Sequence, residues 1–151
     1  MQNNKSVDLI ARGVCVKNGK ILLCRNRKYG NVYLLGGHIE FGEAADRALE
    51  REVLEETGLR ARATRFLAAV QSRFNQRGVD VFELSLLFEL EILDDISTEA
   101  EPESLESYIE FFWFPFSDIS KSGLLPDTVA VRLNGWLDGS DKDQFVPPAA
   151  H

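Results

Sequence analysis

No uninterrupted apolar run in this chain approaches the ~18 residues that a bilayer-spanning helix needs, so a helical membrane span is not expected. Histidine and cysteine are equally scarce, with two of each in 151 residues. His38 and His151 alone do not make a zinc site, and Cys15 and Cys24 lack the close CxxC-type spacing of metal or redox pairs. The stretch Met1 to Asp8 is polar and has no apolar core of a signal peptide; a cytoplasmic location is the resulting expectation. Basic residues are the minority, 17 against 24 acidic, for a formal charge of −7. That balance disfavours nucleic-acid backbones and anionic membranes as partners. A small phosphorylated ligand stays open to such a protein if a divalent cation neutralises charge at the site.

What remains is the composition of an ordinary globular domain, 44% hydrophobic and 27% charged. A chain of this length buries enough surface to need no disulfides. The expectation is one domain over residues 1–151, with about 1–6 and 140–151 flexible. Val16-Lys17-Asn18-Gly19-Lys20-Ile21 reads as a hairpin turning at Asn-Gly. In that register Cys15 faces Leu22 and Cys24 faces Gly13, which makes the cysteines diagonal neighbours and predicts two reduced, half-buried thiols. A basic loop (Arg25 to Asn31) leads to the apolar run Val32–Leu35 and to Gly36-Gly37. Apolar residues at helical spacing (Ala45, Ala48, Leu49, Val53) predict a helix from about Glu43 to Thr57, capped by Gly58. Strands are expected over 61–74 and 79–93, joined by Asn75 to Gly78, then an acidic loop over 94–107 and an aromatic strand from Ile109 to Phe116. A closing amphipathic helix fits about Asp127 to Leu137. Strands before, between and after two helices indicate an α/β/α sandwich, one mixed β-sheet between helices.

The chemistry is concentrated between Gly37 and Leu59. On a helix, Glu52, Glu55 and Glu56 are related by three and four residues and project from one face. Like charges so placed repel, and hard divalent cations favour such clustered carboxylate oxygens. Arg51 stands four residues before Glu55 and can also reach back to Glu43, orienting carboxylates through paired hydrogen bonds. Gly36-Gly37 allows close backbone approach just before the helix. Three carboxylates on one helix face are, without context, most often a solvated surface; the surrounding residues supply the context.

This stretch resembles the Nudix box, Gx₅Ex₇REUxEExGU with U a bulky aliphatic. All nine defined positions match: Gly37, Glu43, Arg51, Glu52, Val53, Glu55, Glu56, Gly58 and Leu59. With residue frequencies of roughly 5–9%, a chance match at one start site is on the order of 10⁻⁹. The resemblance to small MutT-like members implies the Nudix fold and Mg²⁺-dependent (or Mn²⁺-dependent) hydrolysis of a pyrophosphate bond. The substrate would be a nucleoside diphosphate derivative or a nucleoside triphosphate, cut to release a nucleoside monophosphate. It implies Glu52, Glu55 and Glu56 as metal ligands with the Gly36 carbonyl, and Glu43 and Arg51 as orienting residues. The general base is either Glu52 or a glutamate on a later loop, with Glu106 ahead of Glu103 and Glu110. Family members are often dimers, so a homodimer is an open option. One departure is visible: Leu35 stands where many members have a proline before the glycines. His38 to Glu43 is similar to the GGHxEFGE variant of small nucleotide-cleaving members.

Other residues carry two readings. Arg25, ahead of Arg27 and Lys28, is a candidate phosphate contact or part of a solvated basic loop. Gly37 and His38 are candidate substrate contacts, His38 also reading as a plain surface-turn histidine. Phe111, Phe112, Trp113, Phe114 and Phe116 offer a stacking surface or, by alternation, mostly core; Arg73, Phe74 and Phe82 divide between substrate wall and strand packing. Two other functions compete with hydrolysis of a small nucleotide: a non-catalytic nucleotide sensor, and removal of phosphates from RNA 5′ ends. An intact box argues against the first and the acidic balance against the second.

Overall fold

The computed structural model describes residues 4–149. In chain order these form β1 (Lys5–Val14), β2 (Val16–Lys17), β3 (Lys20–Asn26), β4 (Val32–Tyr33), β5 (Leu35–His38), α1 (Ala45–Thr57), β6 (Ala61–Gln76), β7 (Val79–Ile92), β8 (Ile109–Pro115), a 3-10 turn (Phe116–Lys121), α2 (Asp127–Asp138) and β9 (Phe145–Val146). None of the described helices is long and apolar enough to cross a membrane.

The described strands fall into two sheets rather than one. A mixed five-stranded sheet has the order β5-β1-β7-β6-β9, with β1 parallel to β7 and β9 parallel to β6. A second sheet joins β2, β3 and β4, with β8 antiparallel to β3. The hairpin turn is as expected: Asn18 and Gly19 have φ of 53° and 74°, as a type I′ turn requires. Cys15 does oppose Leu22, whose N–H donates to its carbonyl at 3.0 Å. Cys24 does not face Gly13, however. Both edges of β1 are already taken there, by Leu35 of β5 and Phe88 of β7, so Cys24 pairs with Tyr33 and Phe111 instead. Each edge of a strand holds only one ladder, and that competition splits the expected single sheet.

Alternation then distributes the core to both faces. Val14, Ile21, Leu23, Val70, Leu87 and Phe112 pack with Leu133 and Trp136 of α2. Ala11, Cys15, Leu22, Cys24, Leu90 and Phe111 pack with Ala48, Leu49 and Val53 of α1. Helices thus cover opposite sides of the strands, in agreement with the sandwich expectation. Both cysteines are free and buried, and burial pushes each thiol up to about 11. They behave as small core residues.

Four boundaries differ from expectation. The β6–β7 turn is tighter, with Gln76 pairing Val79 across Arg77 and Gly78 (φ 51° and 81°). Helix α1 begins at Ala45, because Glu43 closes a turn by donating its N–H to the Glu40 carbonyl at 3.0 Å. The segment after Gly139, expected to fray, is laced to the body. Trp136 Nε1 donates to the Asp143 carbonyl (2.8 Å), Gln144 Nε2 to the Leu67 carbonyl (3.0 Å), and buried Val146 pairs with Val70. Lys5 and Ser6, also expected to be flexible, pair with Asp80 and Val81. Residues 1–3 and 150–151 lie outside the described range.

Candidate active site

Helix α1 places its buried stripe, Ala48, Leu49 and Val53, on the core. Glu52 and Glu56 follow Ala48 at i, i+4 spacing and so border this stripe, half-buried, while Arg51 and Glu55 lie further round towards solvent. Gly58 ends the helix in the left-handed conformation (φ 74°), its N–H donating to the Leu54 carbonyl at 2.8 Å. Chain direction is thereby fixed immediately after the last glutamate.

Arg51 is the hub. Its Nε and Nη2 grip both oxygens of Glu43, at 2.7 and 2.9 Å. Nη1 donates to Glu52 (3.2 Å) and Glu55 (3.2 Å), and Nη2 also reaches the His38 carbonyl (3.1 Å). One guanidinium therefore ties the pre-helix turn, the end of β5 and two helix carboxylates together. The Arg51 fork, with a backbone N–H from Glu40, holds the Glu43 carboxyl far down, at about 2. The Arg51 pKa is raised in turn, first by Glu43.

The two glycines have different tasks. Gly36 has φ 137°, and a Cβ there would lie 1.9 Å from the Ala11 carbonyl oxygen, so only glycine fits against β1. A Cβ on Gly37 would meet the Glu52 carboxylate, at 2.5 to 2.9 Å. Gly37 is thus the cradle in which the Glu52 carboxylate rests. Gly36 and Gly37 lie within β5, paired with Arg12 and Ala11 of β1, rather than in a turn that ends a strand; the close approach expected of them is to β1 and to Glu52.

At the C-terminal end of α1 the charges are not compensated in this way. Burial, then the neighbouring charge of Glu52, pushes the Glu56 carboxyl up to about 8, with Glu106 and Glu55 adding to the rise and Arg12 opposing it. The loop bearing Glu106 is pinned there: Leu105 N–H donates to the Glu56 carbonyl at 2.7 Å, and Ser104 bonds both ends of the Glu106 backbone. Tyr108 stands beside the same cluster, its pKa raised by burial and then by Glu106, Glu56 and Glu52.

Among the described residues no three carboxylate, histidine or cysteine side chains converge into a ready-made metal cage. Glu52 and Glu55 are instead drawn to one Arg51 nitrogen. The donor chemistry nonetheless fits a hard divalent cation: the available groups are carboxylate oxygens, and Gly37 keeps space open at Glu52.

The remaining candidates are more scattered. Arg25 is paired with Glu110 at 3.0 Å and stacked over Phe112 at 4.1 Å. His38 is exposed, its Nε2 3.3 Å from Asp8. Phe111 and Phe112 are buried, while Phe114, Phe116 and Trp113 pack partly on the core. Arg73 pairs with Asp80 at 2.6 Å, and exposed Phe74 is its chain neighbour. Glu103 is exposed and Glu106 half-buried. Sequence reasoning missed Arg12. It donates to the Leu34 carbonyl (3.1 Å), lies over the Tyr33 ring (5.1 Å) and reaches Glu56 electrostatically. The available signal was an arginine alternating with Ile10 and Val14 in the apolar second half of β1.

A family model for the NUDIX domain matches residues 8–133. NAD-capped RNA hydrolase NudC of Escherichia coli O1:K1 / APEC is 28% identical over 121 residues, 78% of this chain and 42% of that protein. The chain thus spans about two fifths of the length of the curated relatives it matches. Among solved structures, the MutT protein from Methanosarcina mazei Go1 superposes with a TM-score of 0.67 at 20% identity, covering 91% of this chain and 98% of that one. An ADP-ribose pyrophosphatase from Streptococcus suis 89-1591 gives 0.55 at 22%, covering 93% and 97%. At those identities the likeness is one of fold.

Proposed function

The chain belongs to the Nudix family, and from that premise we propose that it is a Mg²⁺-dependent pyrophosphohydrolase. Its substrate is a nucleoside diphosphate derivative or nucleoside triphosphate, and water attacks phosphorus to release a nucleoside monophosphate. The observation that carries this is the acidic end of α1, where Glu52 rests on Gly37 and the charges of Glu52, Glu106 and Glu55 are all felt at half-buried Glu56. Clustered carboxylates are costly unless a cation joins them. Glu52, Glu55 and Glu56 would hold the metal with the Gly36 carbonyl; Mn²⁺ would suit the same oxygens. A bound divalent cation supplies neutralisation of the phosphoryl oxygens and an acidified water.

The chain's own residues do the positioning. Arg51 clamps Glu43 and steers Glu52 and Glu55. Gly37 leaves the Glu52 carboxylate its resting place. For the general base, Glu106 fits better than the other loop glutamates: its charge is felt at Glu56, whereas Glu110 is engaged by Arg25 and Glu103 is exposed. Glu52 is the alternative base. Gly37 and His38 remain the candidate phosphate contacts, a reading supported by the Arg51 bond to the His38 carbonyl, which ties the end of β5 to the carboxylate face of α1. Arg25 is the weaker phosphate contact, since Glu110 already neutralises it. Action on capped RNA, for which the curated relatives are named, fits a chain of charge −7 less well than a small nucleotide does.

The test is turnover of a nucleotide panel with Mg²⁺ present or chelated. Metal-dependent release of a nucleoside monophosphate is expected. Nucleotide binding without turnover on any member would replace this reading with a sensor.

A further inference from the structure

On the face of the five-stranded sheet away from α1 lies a small open cleft with a cavity volume of about 50 Å³. Its wall is apolar where Leu34, Leu125 and Pro126 meet, and its polar groups are Arg12, Glu83 and Ser85. Alternation explains the assignment: Arg12 on β1 and Glu83 and Ser85 on β7 point to the same side, opposite the residues that meet α1. The cleft is open yet close to the acidic cluster. Tyr33 and Leu34 line it, Gly36 and Gly37 follow two to four residues on, and that is about 10 Å of extended chain. Arg12 joins the two places, lining the cleft while its charge is felt at Glu56.

Two cleft residues of opposite charge are not spent on one another. Among the described residues Arg12 and Glu83 form no ion pair. Arg12 donates to the Leu34 carbonyl, and Glu83 Oε1 accepts from the Ser85 hydroxyl at 2.8 Å. Ser85 is itself buried, so it fixes the carboxylate, and among the described residues Oε2 has no hydrogen-bond or ion-pair partner. A charged group held still on the wall of an apolar slot is arranged to read a ligand.

We propose that this cleft is the base subsite and that Glu83 is its specificity-determining residue, selecting bases that present amino groups, guanine first, over uracil and thymine. The proposal rests on the pyrophosphohydrolase reading for the rest of the substrate. A carboxylate offers acceptors only. Guanine presents two adjacent donors, the ring N1–H and the 2-amino group, which match both carboxylate oxygens. Adenine and cytosine present one amino group beside a ring acceptor. Uracil and thymine present a single N–H between two carbonyl oxygens, and those oxygens face the carboxylate with like charge. Arg12, on the side towards α1, has donors left for the base carbonyl or the phosphates.

The experiment is metal-free calorimetric binding of GMP, CMP, AMP and UMP to the full chain, beside turnover of GTP and UTP with Mg²⁺. GMP is expected to bind about tenfold or more tighter than UMP, with the same preference in kcat/KM. Glu83→Gln should cut the GMP/UMP ratio about tenfold, improving UMP in absolute terms, since an amide gives uracil both a donor and an acceptor. Ser85→Ala, which releases the carboxylate, should narrow the ratio less. Equal binding of GMP and UMP by the native chain overturns the proposal, as does a ratio that Glu83→Gln leaves unchanged. Turnover without base discrimination overturns the base subsite alone. Discrimination among the monophosphates without turnover of any nucleotide keeps the base subsite and overturns the hydrolase reading.

Discussion

The two ends of helix α1 carry the same chemical group in opposite conditions. Near its start, Glu43 is gripped by Arg51 and held at about 2. At its end, Glu56 is buried beside Glu52 and Glu106 and pushed up to about 8. The first carboxylate is finished as structure; the second is left wanting a cation. Burial is the main cause of the rise at Glu56, and Arg51 does not offset it, because its five donors are consumed by Glu43, Glu52, Glu55 and the His38 carbonyl. Arg51 thus fixes the scaffold and steers Glu52 and Glu55, while Glu56 receives none of its donors.

The comparison breaks most visibly with chelation. Removing divalent metal is expected to reduce turnover about a hundredfold or more, and Mg²⁺ to restore it; a chelator titration followed by phosphate release reads this. Next come the two glycines. Gly36→Ala meets a backbone oxygen and should cost about 2–4 kcal/mol of stability. Gly37→Ala meets only the mobile end of Glu52, so it should keep its melting temperature and lose roughly tenfold to a hundredfold in kcat. Thermal unfolding and steady-state kinetics separate these outcomes.

Titration sharpens the same contrast without substrate. Glu56 has a raised folded pKa, so its contribution is intact below the usual 4.5 and is lost as pH rises towards 8. Metal-free Glu56→Gln should therefore be more stable than the native chain at pH 8, by on the order of 2 kcal/mol, with the gap closing near pH 4.5. Glu43 behaves in the opposite sense. Its depressed pKa stabilises above 4.5, and that contribution disappears as pH falls towards 2. Urea unfolding of Glu43→Gln should show a shallower acid dependence over that window, the smallest effect of the set.

Local pattern carried much of this. The apolar stripe of α1, the Gly58 cap and the reach of Arg51 to Glu43 and Glu55 all follow from helical spacing, and the structure has them. The Asn18-Gly19 turn was legible for the same reason. What escaped depends on distant partners. Strand β9 is only Phe145–Val146, and it is a strand because β6 offers an edge at Ala69 and Val70. The division into two sheets follows from competition for the edges of β1, which no local window contains. Arg12 and Glu83 sit on different strands, 71 positions apart, and become a pair of cleft residues only once β1 and β7 align. The resting place of the Glu52 carboxylate on Gly37 likewise joins a strand to a helix.

The most direct test compares two glutamates of one helix. Glu56 faces the acidic cluster, whereas Glu50 accepts the Ala63 N–H at 3.0 Å and belongs to the packing of α1 on β6. Turnover with Mg²⁺ should fall about a hundredfold or more in Glu56→Gln and stay within a few-fold of native in Glu50→Gln. Equal losses in the two, or full activity in Glu56→Gln, would contradict the assignment of the α1 terminus as the metal-dependent centre.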